Sequence, residues 1–125
     1  MSDEVEGNLE RARDRLDAAR LLLKNDKYED AVNRAYYSMY HSAMALLRAK
    51  GVSPRTHRGL IGEFGRRFVR EDEVNRRYST MLSHAESLRE SADYGLKSEI
   101  KREDAREVVE NAEDFLKMAV NQFSE

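Results

Sequence analysis

In four stretches of this chain, apolar residues recur at steps of three and four across twenty or more positions. Only a helix can gather that period on one side, so the pattern constrains the fold more than any other feature. Leu9, Ala12, Leu16, Ala19, Leu22 and Leu23 predict a first helix over about Asp3 to Lys24. A second is predicted over about Tyr28 to Lys50, ending at Gly51, a residue suited to the left-handed turn that closes a helix. Val74, Tyr78, Met81, Ala85, Leu88 and Ala92 alternate steps of four and three, the spacing of a bundle seam, on a helix predicted from about Asp72 to Tyr94 with Gly95 as its stop. The last helix runs from about Arg102 to Phe123. One of its faces carries Ala105, Val108, Val109, Ala112, Phe115, Leu116, Ala119 and Phe123, and Glu103 and Asp104 sit in its first turn. A shorter helix is predicted to start at Ser53-Pro54, burying Leu60, Ile61, Phe64 and Phe68 but weakened by Gly59, Gly62 and Gly65. With one proline in 125 residues, the expected fold is all-α: one domain over residues 1–125, an antiparallel up-and-down bundle of four long helices plus one short helix.

Composition then removes several classes of chemistry. The chain has no cysteine, which excludes disulfides, thiolate zinc sites and cysteine nucleophiles, and its three scattered histidines imply no dedicated metal site. No cofactor is expected. The N-terminal stretch is acidic and no apolar run approaches the roughly 18 residues that span a bilayer, so the expectation is a cytoplasmic protein without membrane contact. Charged residues make up 37%, with no tryptophan and a single glutamine, a thermophile-like mix. The net charge of −2 hides an asymmetry: nine Lys or Arg face four acids between Arg48 and Arg77, whereas Ser98 to Glu125 holds eight acids and four bases. Arg66, Arg67, Arg70, Arg76 and Arg77 are suited to tracking a nucleic-acid backbone, to meeting an acidic partner, or simply to solvation. No phosphate-cradling glycine loop is present.

The stretch AVNRAYYSMYHSAMALLRAKG holds the densest group of candidate side chains. Plotted at about 100° per residue, one half of the helix collects Ala31, Val32, Ala35, Tyr36, Met39, Tyr40, Ser42, Ala43, Leu46 and Leu47, a core face. The other half collects Asn33, Arg34, Tyr37, Ser38, His41, Met44, Ala45 and Arg48, with Arg34, His41 and Arg48 on one line. This polar stripe reads either as a solvated face or, given Tyr37 and Met44 between two arginines, as a surface to be covered by a nucleotide, a partner helix or a second copy of the chain.

RAYYSMYHSAMALLRAKG, followed by SPRTHRGLIGEF and later by LRESADYG, resembles the HEPN domain of bacteria and archaea over nearly the whole chain. The resemblance implies a helical bundle, usually a homodimer, often encoded beside a minimal nucleotidyltransferase as a toxin–antitoxin pair. It also implies, for many members, metal-independent cleavage of RNA by an arginine and a histidine a few residues further along the fourth helix. The chemistry is sensible: the arginine fork holds a phosphate and the imidazole moves the proton of a 2′-hydroxyl.

Here the fourth helix offers Arg89 without that histidine. Arg89 with Asp93 and Tyr94 therefore reads either as a degenerate phosphate site or, for Arg89 and Asp93, as an ion pair one turn apart. Arg34 and His41 form the other arginine–histidine pair. His57, beside Thr56 at the start of the short helix, reads as an anion-binding residue or as a cap or packing residue. His84 is expected to be exposed. Two functions follow. The preferred one is an interaction and nucleotide-binding module, half of a toxin–antitoxin-like pair with a minimal nucleotidyltransferase. The alternative is a metal-independent ribonuclease using Arg34 and His41 or the Arg89 site.

Overall fold

The computed structural model describes residues 1–94 and 100–124, the side chain of Tyr94 excepted; the expected stop at Gly95 lies outside the described residues. Among these residues there are helices and connections and no strand. The first helix, α1, covers Asp3–Lys24, as its apolar stripe requires, and Ser2 caps it by accepting the Val5 N–H at 3.2 Å. The second, α2, covers Tyr28–Ala49. Gly51 ends it at φ 77°, and the Val52 N–H returns to the Leu47 carbonyl at 2.9 Å.

The short helix α3 covers His57–Phe64 and does not start at Ser53-Pro54. Thr56 is its cap, its hydroxyl accepting the Gly59 N–H at 2.9 Å. A Cβ on residue 59 would stand 2.9 Å from that hydroxyl oxygen, so the glycine makes room for the cap. The chain continues into one π-helical turn, Gly65–Val69, which buries Phe68 beside Phe64. The next helix, α4, covers Arg76–Tyr94. It starts later than the spacing from Val74 predicts, because Asp72 takes φ 60° and Asn75 accepts the Arg77 N–H at 2.8 Å. The last helix, α5, covers Arg102–Gln122, with Asp104 accepting the Lys101 N–H at 2.9 Å.

At the centre lies α2, packed along α1 and, less extensively, against α5, α4 and α3. Contacts between α1 and α2 pair Glu4 with Arg48, Asn8 with His41 and Ala12 with Ser38, so the two helices run antiparallel. Tyr78 with Asp114 and His84 with Glu107 give the same sense for α4 and α5. Tyr36, Met39, Leu46, Leu47, Phe64 and Phe115 are fully buried between the helices. At roughly 25 cal/mol per Å² of apolar surface removed from water, such side chains dominate the stability.

Two faces differ from the sequence expectation. The polar stripe of α2 is largely a seam with α1, since Ser38 and Ala45 are both 0% exposed. Small buried residues line both helices, Ala12 and Ala19 on α1 and Ser38 and Ala45 on α2, and the Ser38 hydroxyl donates to the Ala12 carbonyl at 2.8 Å. On α4, Leu82, Ala85, Glu86 and Arg89 are buried while Met81, Leu88 and Ala92 are only half-buried, so the helix is turned from the predicted seam. That turn carries two charged side chains inward.

Candidate functional site

Glu86 and Arg89 meet where α4 packs on α2, with their side chains only 11% and 8% exposed. Burying either charge alone would cost several kcal/mol, so the pair must neutralise itself and satisfy its remaining donors. Arg89 Nε donates to Glu86 Oε1 at 2.6 Å and its NH1 donates to Asp93 Oδ2 at 2.9 Å. The guanidinium carbon lies 5.2 Å from the centre of the Tyr36 ring and 5.9 Å from that of Tyr37, both within cation–π range. Burial opposes the charge, but the hydrogen bond and charge of Glu86, helped by Tyr37 and Asp93, outweigh it and hold Arg89 above its ordinary value.

The second oxygen of Glu86 faces α2 and α3. The Tyr36 hydroxyl donates to Oε2 at 3.4 Å and lies 2.7 Å from Nδ1 of His57, which is itself 3.8 Å from Oε2. Burial first, and Glu86 second, raise the Tyr36 pKa far above its usual value, so the hydroxyl keeps its proton. The His57 ring packs 5.6, 5.8 and 5.1 Å from those of Tyr36, Tyr37 and Tyr40. Tyr40 is likewise raised, by burial and then by Tyr37. The structure therefore gathers Arg89, Asp93, Tyr37 and His57 from three helices around Glu86, Tyr36 and Tyr40. Helical spacing puts Tyr36 and Tyr40 on the core face of α2, where Tyr36 is fully buried, but does not reveal their part in this group; nor does it reveal Glu86, one turn from both Leu82 and Arg89.

The remaining candidates lie elsewhere. Arg34 is exposed. His41 is half-buried under α1, with Nδ1 3.0 Å from Asn8 Oδ1. Burial, then Arg15 and Arg11, lower its pKa to about 4, which leaves it neutral. Arg48 pairs with Glu4 and with the Ser53 hydroxyl. Tyr94's side chain is outside the described residues. His84 is exposed and faces Glu107 at 3.5 Å. Among the described residues no cluster of three His, Cys, Asp or Glu is placed to hold a metal ion, and no helix is long and apolar enough to cross a membrane.

Comparison with known proteins locates the chain. A UPF0332 protein of Thermotoga maritima is 40% identical over 106 residues, covering 85% of this chain and 80% of that protein. A Methanocaldococcus jannaschii protein named "Putative toxin MJ0605" is 38% identical over 114 residues, covering 91% of this chain and 84% of its own. A second protein of that organism, "Putative toxin MJ0142", is 33% identical over 113 residues, covering 90% and 77%. The sequence profile of the HEPN domain matches residues 5–123, so this helical bundle belongs to the HEPN family.

Proposed function

We propose that this chain is the toxin-like half of a toxin–antitoxin pair, a HEPN module that takes a nucleotide or RNA phosphate at Arg89 and docks a minimal nucleotidyltransferase. One observation carries the reading: the two carboxylates on Arg89 are unequal. Glu86, 11% exposed, anchors Nε from inside, whereas Asp93, 35% exposed, occupies NH1 from the rim. A phosphate that displaces Asp93 would find a guanidinium already oriented on two tyrosine rings. The toxin names of two relatives support the setting. The half-buried Tyr37 and Met44 offer apolar surface for a second copy of the chain, so a dimeric mass is expected by light scattering at high micromolar concentration; a strict monomer would remove that part of the reading.

The test is binding of a fluorescent single-stranded RNA, followed by anisotropy. Arg89→Ala should weaken binding about tenfold or more, while Asp93→Asn, which withdraws the competing charge, should strengthen it. Equal affinities in all three proteins would remove Arg89 from the binding reading.

The metal-independent ribonuclease reading gains a specific observation. The fourth helix lacks a histidine, and what supports this reading is His57 of α3, whose Nδ1 lies 3.8 Å from the Glu86 carboxylate that holds Arg89. The other ribonuclease pair gains nothing comparable, since His41 is half-buried against Asn8 of α1 while Arg34 is exposed.

A further inference from the structure

We propose that His57 is the proton-transfer residue of the Arg89 centre, supplied by α3 instead of by the arginine's own helix and held in position by Tyr36 and Glu86. The inference rests on the ribonuclease reading and adds to it the identity and orientation of the base. Three observations converge on this histidine. It shares its supports with Arg89: both lie within 6 Å of the Tyr36 and Tyr37 rings, and one carboxylate faces both, Oε1 toward Arg89 Nε and Oε2 toward His57 Nδ1. Its Nδ1 is anchored 2.7 Å from the Tyr36 oxygen. Base chemistry uses the tautomer in which Tyr36 gives its one proton to Glu86 Oε2 and Nδ1–H donates to the Tyr36 oxygen, which leaves the lone pair on Nε2. Finally, the His57 side chain is 38% exposed while Arg89 is 8% exposed, so solvent and a flexible strand reach the imidazole at the rim.

The arrangement is a carboxylate, a hydroxyl and an imidazole in series, in which the first two orient the third. In the reaction, Arg89 releases Asp93 and holds the non-bridging oxygens of a phosphodiester. Nε2 of His57 takes the proton of the adjacent 2′-hydroxyl as its oxygen bonds to phosphorus. The bond from phosphorus to the 5′-oxygen breaks, and the departing oxygen takes a proton from water. The imidazolium returns its proton to solvent, and the products are a 2′,3′-cyclic phosphate and a 5′-hydroxyl. No metal and no redox partner enters the balance.

The test uses the full chain in chelator with a mixed-sequence single-stranded RNA, scoring cleavage, binding by anisotropy and the thermal melt. His57→Ala and His57→Gln should each lose about 100-fold or more in cleavage while binding RNA and melting like the parent. Tyr36→Phe, which removes the bridging hydroxyl, should cut cleavage about tenfold with little change in KM, the signature of a positioning residue. His41→Ala should cleave at the parental rate. Parental cleavage by both His57 variants, or loss of activity in His41→Ala alone, overturns the proposal. Binding without cleavage by the parent defeats the proposal but leaves the phosphate reading standing; absence of binding defeats both.

Discussion

His41 belongs to α2 and His57 packs against it from α3, and their surroundings give them opposite characters. His41 lies under α1, where its Nδ1 meets a neutral amide and burial with nearby Arg15 and Arg11 lowers its pKa to about 4. His57 lies at the opening of α3, where its Nδ1 meets a tyrosine hydroxyl backed by a carboxylate that also holds an arginine. One imidazole is enclosed as a neutral strut; the other belongs to a charged network with an exposed edge. The comparison shows that the helix a histidine comes from says little about its chemistry. What matters is whether the covering helix presents an amide or a carboxylate.

The largest expected effect breaks the second environment. Glu86→Ala would leave the buried Arg89, among the described residues, with only the rim carboxylate of Asp93 as an ion-pair partner, and removing one partner of a buried pair typically costs about 3–5 kcal/mol. Asn8→Ala removes a neutral partner from His41 and should cost about 1 kcal/mol. Urea denaturation of both variants tests the contrast. If their midpoints shift equally, the Glu86–Arg89 pair contributes no more to stability than an ordinary hydrogen bond.

A smaller effect distinguishes the histidines by pH. The unfolded chain protonates His41 near 6.5, whereas the folded chain resists until about 4. Above pH 6.5 both states are neutral there and the full stability is present. Between 6.5 and 4 the unfolded state takes the proton first, so stability falls as pH falls. With the ring half-exposed, the loss should be on the order of 1–2 kcal/mol. His41→Gln keeps a polar contact for Asn8 and should flatten this part of the stability profile. An unchanged slope in that variant would show that His41 is not held neutral by the fold.

How far the sequence reveals these environments depends on what determines each one. The limits of α1 and α5 follow from local signals, an apolar stripe with Ser2 capping one helix and Asp104 capping the other, and the structure places both as predicted. The rotation of α4 is different. A pattern of apolar residues turns Glu86 and Arg89 outward, and only their mutual neutralisation and the Tyr36 hydroxyl make the inward arrangement tolerable. Ser38 likewise counts as polar in a helical projection, yet it is buried because the Ala12 carbonyl accepts its proton. Arg89 and His57 were each singled out from the sequence. Their convergence on Glu86 is not legible there, since it depends on how α3 and α4 pack against α2.

The smallest effect expected is that of Arg34→Ala. Arg34 follows the apolar positions Ala31 and Val32 on α2, but its own side chain is exposed, and exposed substitutions away from caps and buried networks usually change stability by less than about 0.5 kcal/mol. Removing one exposed cation should also weaken RNA binding no more than about twofold at physiological salt, through loss of a single favourable charge on the surface. If His57 and Arg89 form the active pair, Arg34→Ala cleaves RNA like the parent, because among the described residues no contact of the Arg89 centre involves it. If His41 were the base, Arg34 would be the natural holder of the phosphate, and its loss would abolish cleavage while leaving the melt unchanged. A cleavage assay beside a thermal melt separates the outcomes. Loss of activity with an intact melt would move the chemistry to the α2 face and require α1 to release His41 from Asn8.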